Sequence, residues 1–190
     1  MNTKYKVLLM ALVTLTLVIA GCNGEAPVTP QTTVDPAKTV ESPKQPAVNP
    51  TQEKTMQIVV YHATKDAMYL VPETHKVAIN NQPARTAIEL LLAGTKNSDL
   101  VAIMPAGTKL KNLTVKDHIA YVDFDDAIIK KSTGGSAGET LMVAAIVNTL
   151  TEFSDIHQVQ ILINGKKVET LSGHLDVSEP LGRSERIIKK

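Results

Sequence analysis

The chain has 190 residues and a mass of 20.5 kDa, room for one domain with extensions. Aromatics are only 3% with no Trp, and the formal net charge is +1, which argues against a base-stacking nucleic-acid platform and a phosphate-dominated partner. A single cysteine excludes an intramolecular disulfide and a cysteine-rich zinc site.

The N-terminus reads as an address. Lys4 and Lys6 precede an apolar run, Val7 to Ala20, interrupted only by Thr14 and Thr16. Ile19-Ala20-Gly21-Cys22 follows, the layout of a signal peptide with small residues at the cut. The run is short for a spanning helix, which needs about 20 apolar residues. The cut resembles a bacterial lipobox, so residues 1–21 are expected to be removed and Cys22 to be the lipidation site. Acyl chains on Cys22 would enter the bilayer at about 0.8 kcal/mol per buried CH2. That places the protein on the extracytoplasmic face of the cell membrane, held by its lipid. Losing Lys4 and Lys6 turns the formal charge from +1 to −1, still too near neutrality to imply an electrostatic partner.

Residues 22–55 form a tether. Pro27, Pro30, Pro36, Pro43, Pro46 and Pro50 fall here among Thr, Gln, Lys and Glu, with no aromatic. Such a composition buries too little surface to offset its conformational entropy, and predicts a disordered segment.

The folded domain is expected over 56–181. Ile58-Val59-Val60-Tyr61 is β-branched and aromatic, and reads as a strand. Met68 to Val71 is a short strand stopped at Pro72, with a second extended piece at Lys76 to Ile79. Pro83 opens a helix, Ala84, Ala87, Ile88, Leu91 and Leu92 give its buried face, and Gly94 ends it. Leu110 to Lys116 and Ile119 to Asp125 read as paired strands, with Ala120, Val122 and Phe124 alternating inward.

Ser136 to Glu139 has the form of a capping box that opens a second helix running to about Phe153. Its buried stripe is Met142, Ile146, Leu150 and Phe153, widened by Leu141, Ala145 and Thr149. Val159, Ile161 and Ile163 line a further strand. Asn164-Gly165 then signals a hairpin, with Lys166 to Leu171 as the returning strand. The order predicts an α+β fold: a single small two-layer domain, two helices on a mostly antiparallel sheet. Residues 182–190 are a polar, basic tail whose packing the pattern leaves open.

From Ile58 onward the sequence resembles the GerMN domain family. The resemblance rests on Val59-Val60-Tyr61, Leu70-Val71-Pro72-Glu73, Ala87 to Leu92 ending at Gly94, and Ile103-Met104-Pro105-Ala106-Gly107-Thr108. Ala120-Tyr121-Val122-Asp123-Phe124, Ala145 to Thr151 and Val159 to Gly165 extend it. His62 stands where the family usually has an aromatic, and Thr95 where Pro is common. The resemblance implies a membrane-tethered extracytoplasmic domain that serves sporulation, germination or cell-envelope assembly.

Catalytic signatures are sparse. Asp123, Asp125 and Asp126 cluster at a strand end near His118 and invite a hard-cation reading. The calcium-loop spacing is missing, so no metal ligand is assigned and Asp123 reads as a turn cap. His62, His75, His118, His157 and His174 lack the spacing of a helical zinc motif and read as scattered surface residues. Gly134-Gly135 before Ser136 could present free N–H groups to an anion, but the capping box already uses Ser136 and one such N–H, so a helix cap is the favoured reading. The favoured reading is a non-enzymatic interaction module with no cofactor, engaging peptidoglycan or a cell-envelope protein. One alternative is a peptidoglycan-hydrolase accessory or weak wall enzyme, with Glu73, Glu139 and Glu152 as its candidate carboxylates. The other is a solute-binding lipoprotein.

Overall fold

The computed structural model describes residues 54–190. Cys22, the signal peptide and all of the expected tether except Lys54 and Thr55 lie outside the described residues. Two β-sheets and the helices between them make an α+β fold, the class the sequence predicts.

The chain enters as β1 (Thr55–Thr64), which pairs antiparallel along its length with β2 (Leu70–Ala78). The two extended pieces expected around Pro72 are one continuous strand. Pro72 fits because β2 is an edge and Pro72 lies opposite Tyr61, whose N–H turns away from β2 to Thr149 Oγ1 at 3.2 Å. The missing proline N–H therefore costs no ladder bond. The joining turn is tightly wired. Thr64 N–H donates to Tyr69 O, Ala67 N–H donates to Thr64 O, and the Asp66 carboxylate accepts from the Thr64 hydroxyl and Met68 N–H.

Helix α1 (Pro83–Ala93) starts and stops where Pro83 and Gly94 predict. Gly94 takes φ +80°, and a Cβ there would meet Ala102 Cβ at 3.0 Å, so both conformation and space favour glycine. After β3 (Leu100–Val101), which pairs with the end of β1, the chain forms the hairpin of β4 (Leu110–Lys116) and β5 (Ile119–Phe124). Asp117 and His118 both have positive φ, as a two-residue type I′ connection requires.

From β5 the chain runs through the short α2 (Ala127–Lys130) and the long α3 (Gly135–Leu150) to β6 (Gln158–Ile163). β6 pairs with β5 in parallel, and the helical crossover is what a parallel pair demands. β7 (Leu181–Gly182) completes a second sheet ordered β4-β5-β6-β7, beside the first, β2-β1-β3. The sequence predicts one mostly antiparallel sheet; the structure has two, one of which contains a parallel pair. Lys166 to Leu171 does not return as a strand: Asn164-Gly165 makes its turn, Ile163 bridges to Lys166, and the chain then leaves as an irregular loop to residue 180. β7 takes the place beside β6 instead.

Helix α3 is the centre of the core. Every residue from Leu141 to Leu150 is buried, so the expected one-sided stripe is a helix buried on all sides, apolar except at Asn148 and Thr149. It packs with Val122, Phe124, Ile128, Val159 and Ile161. Each fully buried side chain of this size contributes about 1.5–3 kcal/mol of transfer free energy. The described residues thus carry a core of their own, a main cluster around α3 and a smaller one of Ile58, Val60 and Ala87. The tail left open by the sequence packs too. A 3-10 turn spans Glu185–Ile187, Ile188 bridges to Leu70, and Lys189 N–H donates to Leu70 O at 2.8 Å.

Candidate functional site

The three carboxylates weighed for catalysis do not converge on one cleft; each is held by a different set of partners. Glu139 is fully buried. Its Oε1 accepts from Leu171 N–H and Ser172 N–H and its Oε2 from His174 N–H, all at 2.8 Å. This corrects the capping-box expectation. Helix α3 begins at Gly135 with Gly134 as its N-cap and without a side-chain cap bond. A Cβ on Gly134 would stand 2.7 Å from Gly138 Cα, so the two glycine backbones press together at the helix start. Ser136 is exposed in the first turn, where its carbonyl accepts from Thr140 Oγ1. Three donors in a loop that leaves the second sheet outcompete one donor at a helix end.

Glu152 accepts the Tyr61 hydroxyl at 2.7 Å and lies 2.8 Å from Arg183 Nη1. Arg183 also donates to the Tyr61 oxygen at 2.7 Å and to the Asn148 carbonyl at 3.1 Å, and it pairs with Glu185. Burial, followed by the hydrogen bond to Glu152, holds the Tyr61 phenol above its ordinary value, so it remains a neutral donor. The buried Asn148 side chain pairs with both backbone groups of Ser184. Together these groups fasten the C-terminal segment to α3 and β1. Sequence reasoning missed Tyr61, Asn148 and Arg183 as a unit. The available signal was polar Asn148-Thr149 inside an otherwise apolar helical run, since a buried amide needs a partner.

The three aspartates at the end of β5 also diverge. Asp123 is buried and its Oδ1 accepts Gly165 N–H at 2.8 Å, across the Asn164-Gly165 turn. Asp125 Oδ1 accepts Lys109 N–H at 3.0 Å. Asp126 pairs with Lys130 one turn along α2. Among the described residues no group of three or more His, Cys, Asp or Glu side chains could hold a metal ion.

The histidines are not uniformly surface residues. His118 and His157 stack at 4.5 Å, their rings 8° apart, and His118 Nδ1 lies 3.1 Å from the Asp155 carbonyl. His62 is fully buried, and among the described residues neither ring nitrogen has a hydrogen-bond partner. It shares a face of the β1–β2 ladder with Glu73 and His75, whose side chains approach to 2.9 Å. Glu73 also accepts from the Thr95 hydroxyl. Burial pulls the His62 pKa below its ordinary value, with Glu73 acting against and His75 with the shift.

The unfolded chain, with an ordinary histidine near 6.5, therefore takes up the proton first. The stability associated with a neutral His62 is fully present above about pH 6.5 and is lost as pH falls towards the lower folded value. His62→Phe is expected to raise stability by about 1 kcal/mol at pH 7.5 by removing an unsatisfied buried polar ring, and by more at pH 5.5. Urea unfolding of both proteins across that range is the check; parallel stability profiles would show that His62 does not titrate between the two states.

A family model described as Germane, sporulation and spore germination, matches residues 59–169. The spore germination protein GerM of Bacillus subtilis (strain 168) is 29% identical over 174 residues, covering 87% of this chain and 45% of that protein. The chain thus spans less than half the length of that relative. A solved structure of the tandem GerMN domains of the sporulation protein GerM from Bacillus subtilis superposes with a TM-score of 0.60 at 26% identity, covering 68% of this chain and 46% of that one. The first GerMN domain of the same protein, solved alone, gives a TM-score of 0.59 at 26% identity and covers 68% of this chain and 98% of that one.

Proposed function

The chain belongs to the Germane family of sporulation and spore germination, and on that premise we propose that it is a membrane-anchored extracytoplasmic lipoprotein whose domain is a non-enzymatic interaction module. It assists assembly of a cell-envelope or sporulation and germination complex, engaging an envelope protein or peptidoglycan. The observation that carries the interaction reading is the fate of the polar side chains. Glu139, Glu152 and Asp123 are each committed to backbone or tail contacts that hold the fold. A general acid or base must instead reach a substrate proton. The anchoring reading is carried by the sequence Ile19-Ala20-Gly21-Cys22 behind an apolar run.

Two experiments test these halves separately. Cys22→Ser is expected to abolish metabolic labelling with a fatty acid and to move the protein from the membrane to the soluble fraction. Continued labelling and membrane retention of the variant would end the anchoring reading. Incubated with purified peptidoglycan, the domain is expected to release no soluble muropeptides while crosslinking to an envelope component in cells. Muropeptide release by pure protein would replace the module with an enzyme.

A further inference from the structure

The β1–β2 turn and the C-terminal segment meet on a surface that has no part in the contacts just described. Met68 and Tyr69 stand side by side on the turn, 60% and 42% exposed. The turn holds them rigidly through the Thr64 and Asp66 bonds. Because the tail docks at Leu70, Arg186, Ile188, Lys189 and Lys190 line an open cleft with Tyr69. Lys65 is exposed on the same turn. Among the described residues Lys65, Arg186, Lys189 and Lys190 form no ion pair. The opposing carboxylate on the turn is Asp66, which is fastened there by the Thr64 hydroxyl and Met68 N–H.

We propose that this tip is a docking surface for an anionic phospholipid bilayer. Exposed Tyr69 beside Arg186, Lys189 and Lys190, with Met68 and Lys65 exposed on the same turn, is complementary to a membrane interface, where tyrosine sits at headgroup depth and lysine or arginine meets lipid phosphate. Size points the same way. The surface spans only a five-residue turn and residues 186–190. A stable protein partner needs about 800 Å2 of complementary surface on each side, whereas a bilayer interface accommodates a small contact. The contact does not require acylation of Cys22, and would add to it where both occur.

The test uses residues 54–190, which contain the whole described core and lack Cys22, so its outcome is separate from that of the anchoring reading. The domain is expected to sediment with vesicles of phosphatidylcholine containing about a third phosphatidylglycerol, less so at high salt, and not with phosphatidylcholine alone. Lys189→Glu with Lys190→Glu, and separately Met68→Ser with Tyr69→Ser, should each weaken binding about tenfold. Val115→Ser, at an exposed apolar position on β4, should not. Thermal melts of each variant verify that the fold is intact. No sedimentation at low salt overturns the proposal. So does loss with the lysine pair alone while the Met68 and Tyr69 pair binds normally. Capture by an acidic polypeptide without vesicle binding would assign the surface to a protein instead.

Discussion

Glu139→Ala is expected to lower the stability of the domain by about 3 kcal/mol or more, a large share of the 5–15 kcal/mol typical of a domain. The substitution leaves Leu171, Ser172 and His174 N–H groups without their acceptor. Each unsatisfied buried donor costs about 1–3 kcal/mol; the partly buried pair, Ser172 and His174, recovers some of that from water. Glu139→Gln should fall between, because one amide oxygen accepts while the amide nitrogen faces a donor. Urea unfolding gives the magnitude, and amide exchange at residues 171, 172 and 174 gives the location. A loss below about 1 kcal/mol with unchanged exchange would mean that the carboxylate does not anchor this loop.

Arg183→Ala carries the second large effect, about 1–2 kcal/mol of stability together with release of the tail. The guanidinium bridges Tyr61, Glu152, Asn148 and Glu185 at once. Its side chain is 28% exposed, so solvent screens part of each ion pair and the sum stays below that of a buried network. Arg183→Lys should rescue little, since a single ammonium cannot reproduce a planar fork with several donors. The Asn148–Ser184 pairing remains and limits the loss. Carboxypeptidase trimming and exchange protection of residues 184–190 are the readouts. Wild-type resistance in the alanine variant would show that Ser184 and Ile188 hold the tail unaided.

Local pattern made some of this molecule legible. Pro83 and Gly94 bounded α1 because each acts through its own backbone. Alternation of Ala120, Val122 and Phe124 identified the inward face of β5 because strand side chains repeat every two residues. Asp123 was legible as a turn cap, though its partner is 42 residues away. What escaped was set by distant chain. Glu139 had the spacing of a capping box, yet its acceptors serve donors 32 to 35 residues downstream. The stripe on α3 was read correctly at Met142, Ile146 and Leu150 but understated, since elements on several sides bury the helix, while Phe153 lies half-buried past the helix end at Leu150. The parallel pairing of β5 and β6 had no local mark either, because it depends on the crossover. The burial of His62 has one sequence sign, its place where the family carries an aromatic.

The attachment of the tail to β1 also sets an order of events during synthesis. Tyr61 and Arg183 are 122 residues apart, and Leu70 gains its last backbone partner only from Lys189. Contacts this remote in sequence are the slowest to close, because the intervening chain must be ordered first. The first strand made is thus among the last to be secured. Until residues 183–189 emerge, the growing chain lacks the clasp that joins them to Tyr61 and Leu70.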